Sequence, residues 1–376
     1  MVSHKMTKNN ALFLYGIAGL LLSYFLLKPI NNWDVIGYLA TFFWLEGFDA
    51  TQVHNLTYSS LQASVSPERF TMLSEAGTYH SAVHADPQAL MAQVPFYATR
   101  VLLLMMVQGL NAIGIEPIQA FHLVNASAVT VLWVLMARWV SPVHKSSWWW
   151  LLLLFALAGA LSLGRTVTPD ATSALVAFSS IMVCVSKHRL AWLGPLLLPL
   201  ARTDYVLLSG FICLWQFWQS KQLKWIFVAG LSGVIMLVVN QWAGHYGYRI
   251  IMQFTLLDAA AFPSQMPITW NFSDYPGFIW LGIRELASGT AIWLVVAALI
   301  YAKVRQLRFS SDEKSILCVV GLFFLMHFLV FPAGFQRFYV GCALLVLGAI
   351  WRAHVRKIRP QSVGEPNKDA GWEAYK

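Results

Sequence analysis

The chain reads as an all-α polytopic membrane protein, and three observations lead there. Of its 376 residues, 58% are hydrophobic and only 11% charged, with a mean hydropathy of +0.58; soluble domains carry about a quarter charged residues. The apolar residues fall in runs long enough to cross a bilayer. Lysine and arginine gather in short loops at alternate ends of those runs, which is an orientation signal. The net charge of +9 is thereby accounted for, and no nucleic-acid partner is expected. Seventeen Trp and 13 Tyr suit amphipathic rings settled at two interfaces.

Taken in order, the candidate spans are 11–27, 118–137, 148–163, 171–186, 190–201, 205–219, 225–243, 286–302, 315–331 and 338–351, about ten in all against a spanning requirement of about 20 residues. The first follows a basic N-terminus, exceeds a signal-peptide core and lacks a small-x-small cleavage site, so it is expected to stay as an anchor. The run 190–201 is short and carries Pro195 and Pro199. Lys187 and Arg189 precede it, and Lys221 and Lys224 follow 205–219; keeping both basic pairs on one side requires two short helices here. The apolar run 96–113 is read as a re-entrant or surface-lying helix, because counting it as a crossing would place most basic loops outside. Both termini are then cytoplasmic, with a large first outer loop containing surface-lying helices (29–117) and a second at 244–285. Residues 1–352 form one transmembrane domain, and 353–376 a cytoplasmic tail. Cys184, Cys213, Cys318 and Cys342 lie in apolar runs without paired or metal-ligand spacing, so no disulfide is expected.

The span interiors contain no Asp, Glu, Lys or Arg; the notable polar residues are His122, Asn125, Gln216, Asn240, Gln241 and His327. Ion-coupled transport uses ionisable groups near the midplane, and these spans offer few. The charges sit instead at the outer ends: Asp34, Arg165 and Asp170, Arg202 with Asp204, and Arg337. Far apart in sequence, they share one depth, so the fold can gather them around one cavity. Acids and arginines at the lipid–water boundary suit a polyprenyl-phosphate-linked sugar. Its phosphate leaving group calls for guanidinium groups, and the acceptor hydroxyl calls for a carboxylate base. Each residue also has a plainer role. Asp34 and Asp170 can cap helices, Arg202 and Asp204 can form a local ion pair, and Arg337 can anchor at the interface. His54 and Tyr58 are candidates to line the cavity. His80 and His84 stand four apart without a regular ligand pattern around them, and no metal site is expected. No phosphate-cradling glycine loop is present, so no nucleotide cofactor is implied.

Four patterns in combination carry a resemblance: Trp33-Asp34 with Tyr38 after the first span, Thr168-Pro169-Asp170 before the fourth, Arg202-Thr203-Asp204 before the sixth, and Gln336-Arg337-Phe338-Tyr339 before the last. In this order, over the chain up to about residue 352, it resembles an integral-membrane glycosyltransferase of the GT-C superfamily, the class that includes protein mannosyltransferases and lipid A aminoarabinose transferases. One departure is Val35, where many relatives carry a second acid. The resemblance implies an inverting transfer of a sugar from a polyprenyl-phosphate donor to a hydroxyl on a glycan, glycolipid or protein, at the outer face of the cytoplasmic membrane and without a cofactor. Asp34 would be the catalytic base or orient the acceptor, and Asp170 would shape the acceptor side. Arg202 and Arg337 would hold the departing phosphate, with Asp204, Tyr38, His54, Tyr58 and Arg165 around the substrate. The rival readings are a lipid-linked glycan flippase or permease, and a non-catalytic subunit of an envelope polysaccharide complex.

Overall fold

The computed structural model describes residues 8–140 and 145–358. Lys5 and residues 359–376 of the expected tail lie outside the described residues; the tail's first positions, 353–358, continue the last helix. Among the described residues the protein is helical throughout, with a single isolated β-bridge between Ile30 and Thr166.

Helix α1 (Lys8–Leu27) is apolar from Ala11 onward and packs on the later helix Pro117–Val140. It leads into six short helices: α2 (Asp34–Leu45), α3 (Ala50–Ser64), α4 (Pro67–Ser74), α5 (Gly77–Ala85), α6 (Pro87–Met91) and α7 (Val94–Ala98). The local sequence explains where several start. Asp49 and Gln52 form a reciprocal capping box, Ser66 caps a helix opening on Pro67, and Asp86 caps one opening on Pro87. These helices share a core of their own around Ile36, Leu39, Val53, Leu61, Val83 and Leu90. They form a cap over one end of the bundle. Helix α8 (Val101–Asn111) then turns by 109° from the preceding pair.

The bundle follows: α9 (Pro117–Val140), α10 (Lys145–Leu157), α11 (Ala160–Leu163), α12 (Asp170–Val185), α13 (Leu193–Ala201), α14 (Val206–Ser220) and α15 (Lys224–Ala243). A short helix α16 (Tyr248–Leu256) lies in the second long loop, followed by α17 (Tyr275–Ser288), α18 (Thr290–Val304), α19 (Ser311–Val330) and α20 (Val340–Ile358). The bundle core is built on fully buried rings, among them Trp133, Trp148, Phe155, Phe178 and Phe323.

This is an all-helical membrane protein. Among the described residues five helices are long and apolar enough to cross a bilayer, or up to seven if each bent pair is one span. The segments expected at 171–186 and 205–219 form helices of 16 and 15 residues, shifted by one position, whereas those at 148–163 and 190–201 form shorter ones. A nine-residue α13 advances only about 14 Å at 1.5 Å per residue, against a hydrocarbon core of about 30 Å. Two further expectations change. Gly159, at φ +91°, breaks 148–163 into α10 and α11. Gly289 divides 286–302, so that α17 and α18 meet at 80°.

Candidate functional site

Asp34 opens α2 but does not cap it with a side-chain hydrogen bond. Its Oδ2 instead accepts from Arg337 Nη1 at 2.7 Å and from Asn32 Nδ2 at 2.8 Å. Asp170 likewise opens α12 without capping it. Its Oδ1 is paired with Arg202 Nη1, and its Oδ2 lies 3.4 Å from Arg337 Nε. That second contact is electrostatic and leaves Oδ2 without a formed hydrogen bond. Arg202 also grips Asp204 through both arms of its fork, Nε to Oδ1 at 3.1 Å and Nη2 to Oδ2 at 2.9 Å. Asp204 Oδ2 meets His327 Nε2 at 2.7 Å, and His327 Nδ1 meets the Tyr339 hydroxyl at 3.0 Å.

The result is one unbroken alternation: Asp34, Arg337, Asp170, Arg202, Asp204, His327, Tyr339. Five separate stretches of chain supply it. The ring of Phe338 lies between the two guanidiniums, 4.0 Å from Arg202 Cζ and 5.7 Å from Arg337 Cζ, and the Tyr205 hydroxyl donates to its carbonyl at 3.1 Å.

Exposure varies along this chain. The side chains of Asp170 and Arg202 are 1% and 4% exposed, whereas those of Asp34 and Arg337 are 21% and 38%. Asp204, at 28%, is part-exposed as well, so the buried Asp170–Arg202 pair lies between two part-exposed stretches of the cluster. Burial works against the Arg202 charge, but Asp204 and Asp170 outweigh it and raise its pKa. Burial also pushes the Asp204 carboxyl up; Arg202, the His327 hydrogen bond and the nearby Arg100 outweigh that and hold it well below the usual carboxylate range. Arg100, at the 109° bend, hydrogen-bonds Thr99 Oγ1 at 2.8 Å.

Two glycine contacts fix the surroundings. Gly37 lies against the Tyr97 ring, where an added Cβ would come within 2.1 Å; the Tyr97 hydroxyl is 3.5 Å from Asp34 Oδ1. Gln336, beside Arg337, fills the space that a Cβ would take at both Gly159 and Gly289, at 2.6 and 2.5 Å.

Two hollows lie on the elements that carry the cluster or lead into it. One, of about 400 Å³, is lined by Pro29–Asn31, Ser64–Ser66 and Arg69. The other is an apolar groove of about 520 Å³ between α8, α9 and α12. It reaches Thr172, two residues past Asp170, and its wall is mostly Leu, Val and Met.

Of the residues singled out from the sequence, Asp34, Asp170, Arg202, Asp204 and Arg337 come together. Tyr38 lies one turn along α2, buried, edge-on to Tyr97 at 4.9 Å. His54 and Tyr58 sit elsewhere in the cap. The His54 ring packs on Tyr58 and its Nε2 meets the His84 carbonyl at 2.7 Å, while Tyr58 also packs on His84 and Phe70. Arg165 ties the end of α1, donating to the Lys28 carbonyl at 2.6 Å and to the Tyr24 hydroxyl at 3.2 Å. His80 stacks on Trp33 at 4.0 Å, and burial lowers the pKa of both His80 and His84. Among the described residues no group of three His, Cys, Asp or Glu is arranged to hold a metal ion.

The sequence reading missed Asn32, Tyr97, Arg100, His327 and Tyr339 as members of the site. His327 had a signal: an imidazole one turn before the end of an otherwise apolar helix. The aromatic loop 244–285 packs beside the cap, with the Tyr246 hydroxyl on the Ala92 carbonyl at 2.8 Å and Phe254 stacked on Phe96 at 4.4 Å. No family model matches this chain, and no curated protein or solved structure compared with it is significantly similar.

Proposed function

We propose that this protein is an inverting glycosyltransferase that moves a sugar from a polyprenyl-phosphate carrier to a hydroxyl acceptor at the outer face of the cytoplasmic membrane. This is the GT-C-like reading, with about ten membrane crossings and both termini inside. The observation that carries it is the part-exposed Asp34–Arg337 pair set against the buried Asp170–Arg202 pair. A base and a phosphate-binding cation stand side by side, and both are held from behind.

Asp34 Oδ2 is engaged by Arg337 and Asn32, whereas Oδ1 has only the long Tyr97 contact. Oδ1 is therefore the oxygen that takes the acceptor proton. The acceptor oxygen then attacks the anomeric carbon, and the bond from that carbon to the phosphate oxygen breaks. The electron pair leaves with the phosphate, whose new negative charge is met by guanidinium. That contact falls chiefly to Arg337, because Arg202 is buried between two carboxylates. Arg202 acts behind it by holding Asp170 in place. The groove between α8, α9 and α12 is suited to the carrier's apolar chain, and the hollow at Asn31 and Arg69 to the acceptor side. A carboxylate base in such a step contributes about 10²–10⁴-fold.

The test is transfer by the purified protein from a panel of radiolabelled polyprenyl-phosphate sugars, compared with Asp34→Asn. The reading requires a loss of at least about 10²-fold with unchanged thermal unfolding, since Asp34 is part-exposed. Equal rates in the two proteins remove Asp34 as the base, and no transfer from any donor removes the enzyme. A flippase would instead move carrier-linked glycan across vesicles without product. A non-catalytic subunit would tolerate Asp34→Asn.

A further inference from the structure

We propose that His327 is a positioning residue for this site: it holds the Asp204 carboxylate in the orientation that keeps Arg202 bidentate, and through Arg202 it sets Asp170 and Arg337. The inference rests on the transfer reading for its kinetic consequences but not for its structural core. The geometry is specific. His327 is 1% exposed, and both of its ring nitrogens are engaged, Nε2 with Asp204 Oδ2 at 2.7 Å and Nδ1 with the Tyr339 hydroxyl at 3.0 Å.

The partner of one imidazole nitrogen decides where the proton sits on the ring. The Asp204 carboxylate can only accept, so Nε2 carries a proton and donates to it; in the neutral ring Nδ1 is then the acceptor facing the Tyr339 O–H. The Asp204 side chain is 28% exposed; both Arg202 contacts come from its own turn, whereas His327 holds it from another helix. The rings of Phe323, Phe338 and Tyr339 surround the imidazole at 5.3 to 6.3 Å and fix its plane. α19 thus supplies no group to the substrate and still governs the cluster.

Glutamine at 327 separates positioning from packing, because its amide N–H replaces Nε2–H and its oxygen accepts from Tyr339. Transfer and thermal unfolding are measured for His327→Phe, His327→Gln, Tyr339→Phe, Asp204→Asn and the His327→Phe/Asp204→Asn double variant. The expected result is that His327→Phe lowers kcat by about 10²-fold, as a misplacement of about 1 Å does, with KM nearly unchanged. His327→Gln restores most of kcat, and Tyr339→Phe costs about 2- to 10-fold, the worth of one net hydrogen bond. In thermal unfolding the double variant is no less stable than the worse single variant. A His327→Gln loss equal to that of His327→Phe overturns the proposal, as does additivity in the double variant or an effect confined to KM. Should His327→Phe not fold, His327→Gln decides: near-full turnover upholds positioning and a large loss overturns it. If the parent transfers no donor at all, the proposed function fails. The unfolding cycle then decides on its own, coupling upholding the His327–Asp204 arm and independence removing it.

Discussion

Two ion clusters sit on the α19–α20 hairpin, one toward each end, and they are built on different plans. Glu313 and His327 are separated by about 21 Å along α19 at 1.5 Å per residue. At the Glu313 end a single buried carboxylate is saturated. Arg356 Nη1 donates to Oε1 at 2.6 Å and its Nη2 pairs with Oε2, Arg352 Nε lies 3.4 Å away, and the Ser310 backbone N–H donates at 2.9 Å in a capping box. Arg352 also spreads over Trp139, with Cζ 5.6 Å from the ring. Every group comes from the hairpin or the residues just before it, and together they pin two neighbouring helices. The other end draws on five stretches of chain and holds three carboxylates against two arginines. Locking two neighbouring helices together does not require residues from five stretches or a part-exposed pair at the edge. Charges gathered from such distances around a part-exposed pair indicate a site.

The sharpest way to break this contrast is Arg202→Met. It leaves Asp170, whose side chain is 1% exposed, with only the 3.4 Å Arg337 contact, and breaking a buried pair costs about 3–5 kcal/mol. Thermal unfolding in detergent should show a large fall and poor recovery of folded protein. A near-neutral result would mean that the buried half of the cluster is not its foundation.

Next in size is a paired comparison. Arg356→Ala removes charge-assisted hydrogen bonds worth about 1.5–3 kcal/mol and should lower stability without changing transfer. Arg337→Ala, part-exposed, should do the reverse, with transfer from the carrier-linked sugar falling at least tenfold and unfolding little altered. If both variants lose stability alike and neither changes transfer, the distinction between the two ends disappears.

The smallest effect is on acid stability. The Asp204 carboxyl is depressed in the folded state, so its contribution is present above the unfolded value of about 3.9 and is lost as pH falls through the folded value. His80 and His84 are depressed by burial. Protonation therefore favours the unfolded chain, and stability starts to fall below about pH 6.5. Unfolding midpoints across pH 7 to 3 should drop in two stages. His80→Phe, which keeps a ring against Trp33, should shrink the first stage and leave the second.

The contrast also accounts for what could be read in advance. Asp34, Asp170, Arg202, Asp204 and Arg337 stood out because a charge beside apolar spans is costly and therefore conspicuous. His54, Tyr58 and Arg165 looked similar by type and location, but their partners are local: an aromatic cluster for the first two and a helix end for the third. Nothing in the spacing of a pattern tells an arginine that grips a backbone carbonyl from one that grips a carboxylate. His327 stayed hidden for the opposite reason, since a lone imidazole on an apolar helix usually reads as a packed core residue. Helix identity followed the hydropathy closely. Helix length did not, because Gly159 and Gly289 interrupt runs that hydropathy leaves continuous.

Those two glycines carry one last implication. Their missing side chains leave room for Gln336, so residues about 130 positions apart share one small space next to Arg337. A methyl group at either glycine must displace the amide, and a shorter residue at 336 would leave a void bordering both. Among natural variants of this sequence, positions 159, 289 and 336 should therefore change as a set or not at all.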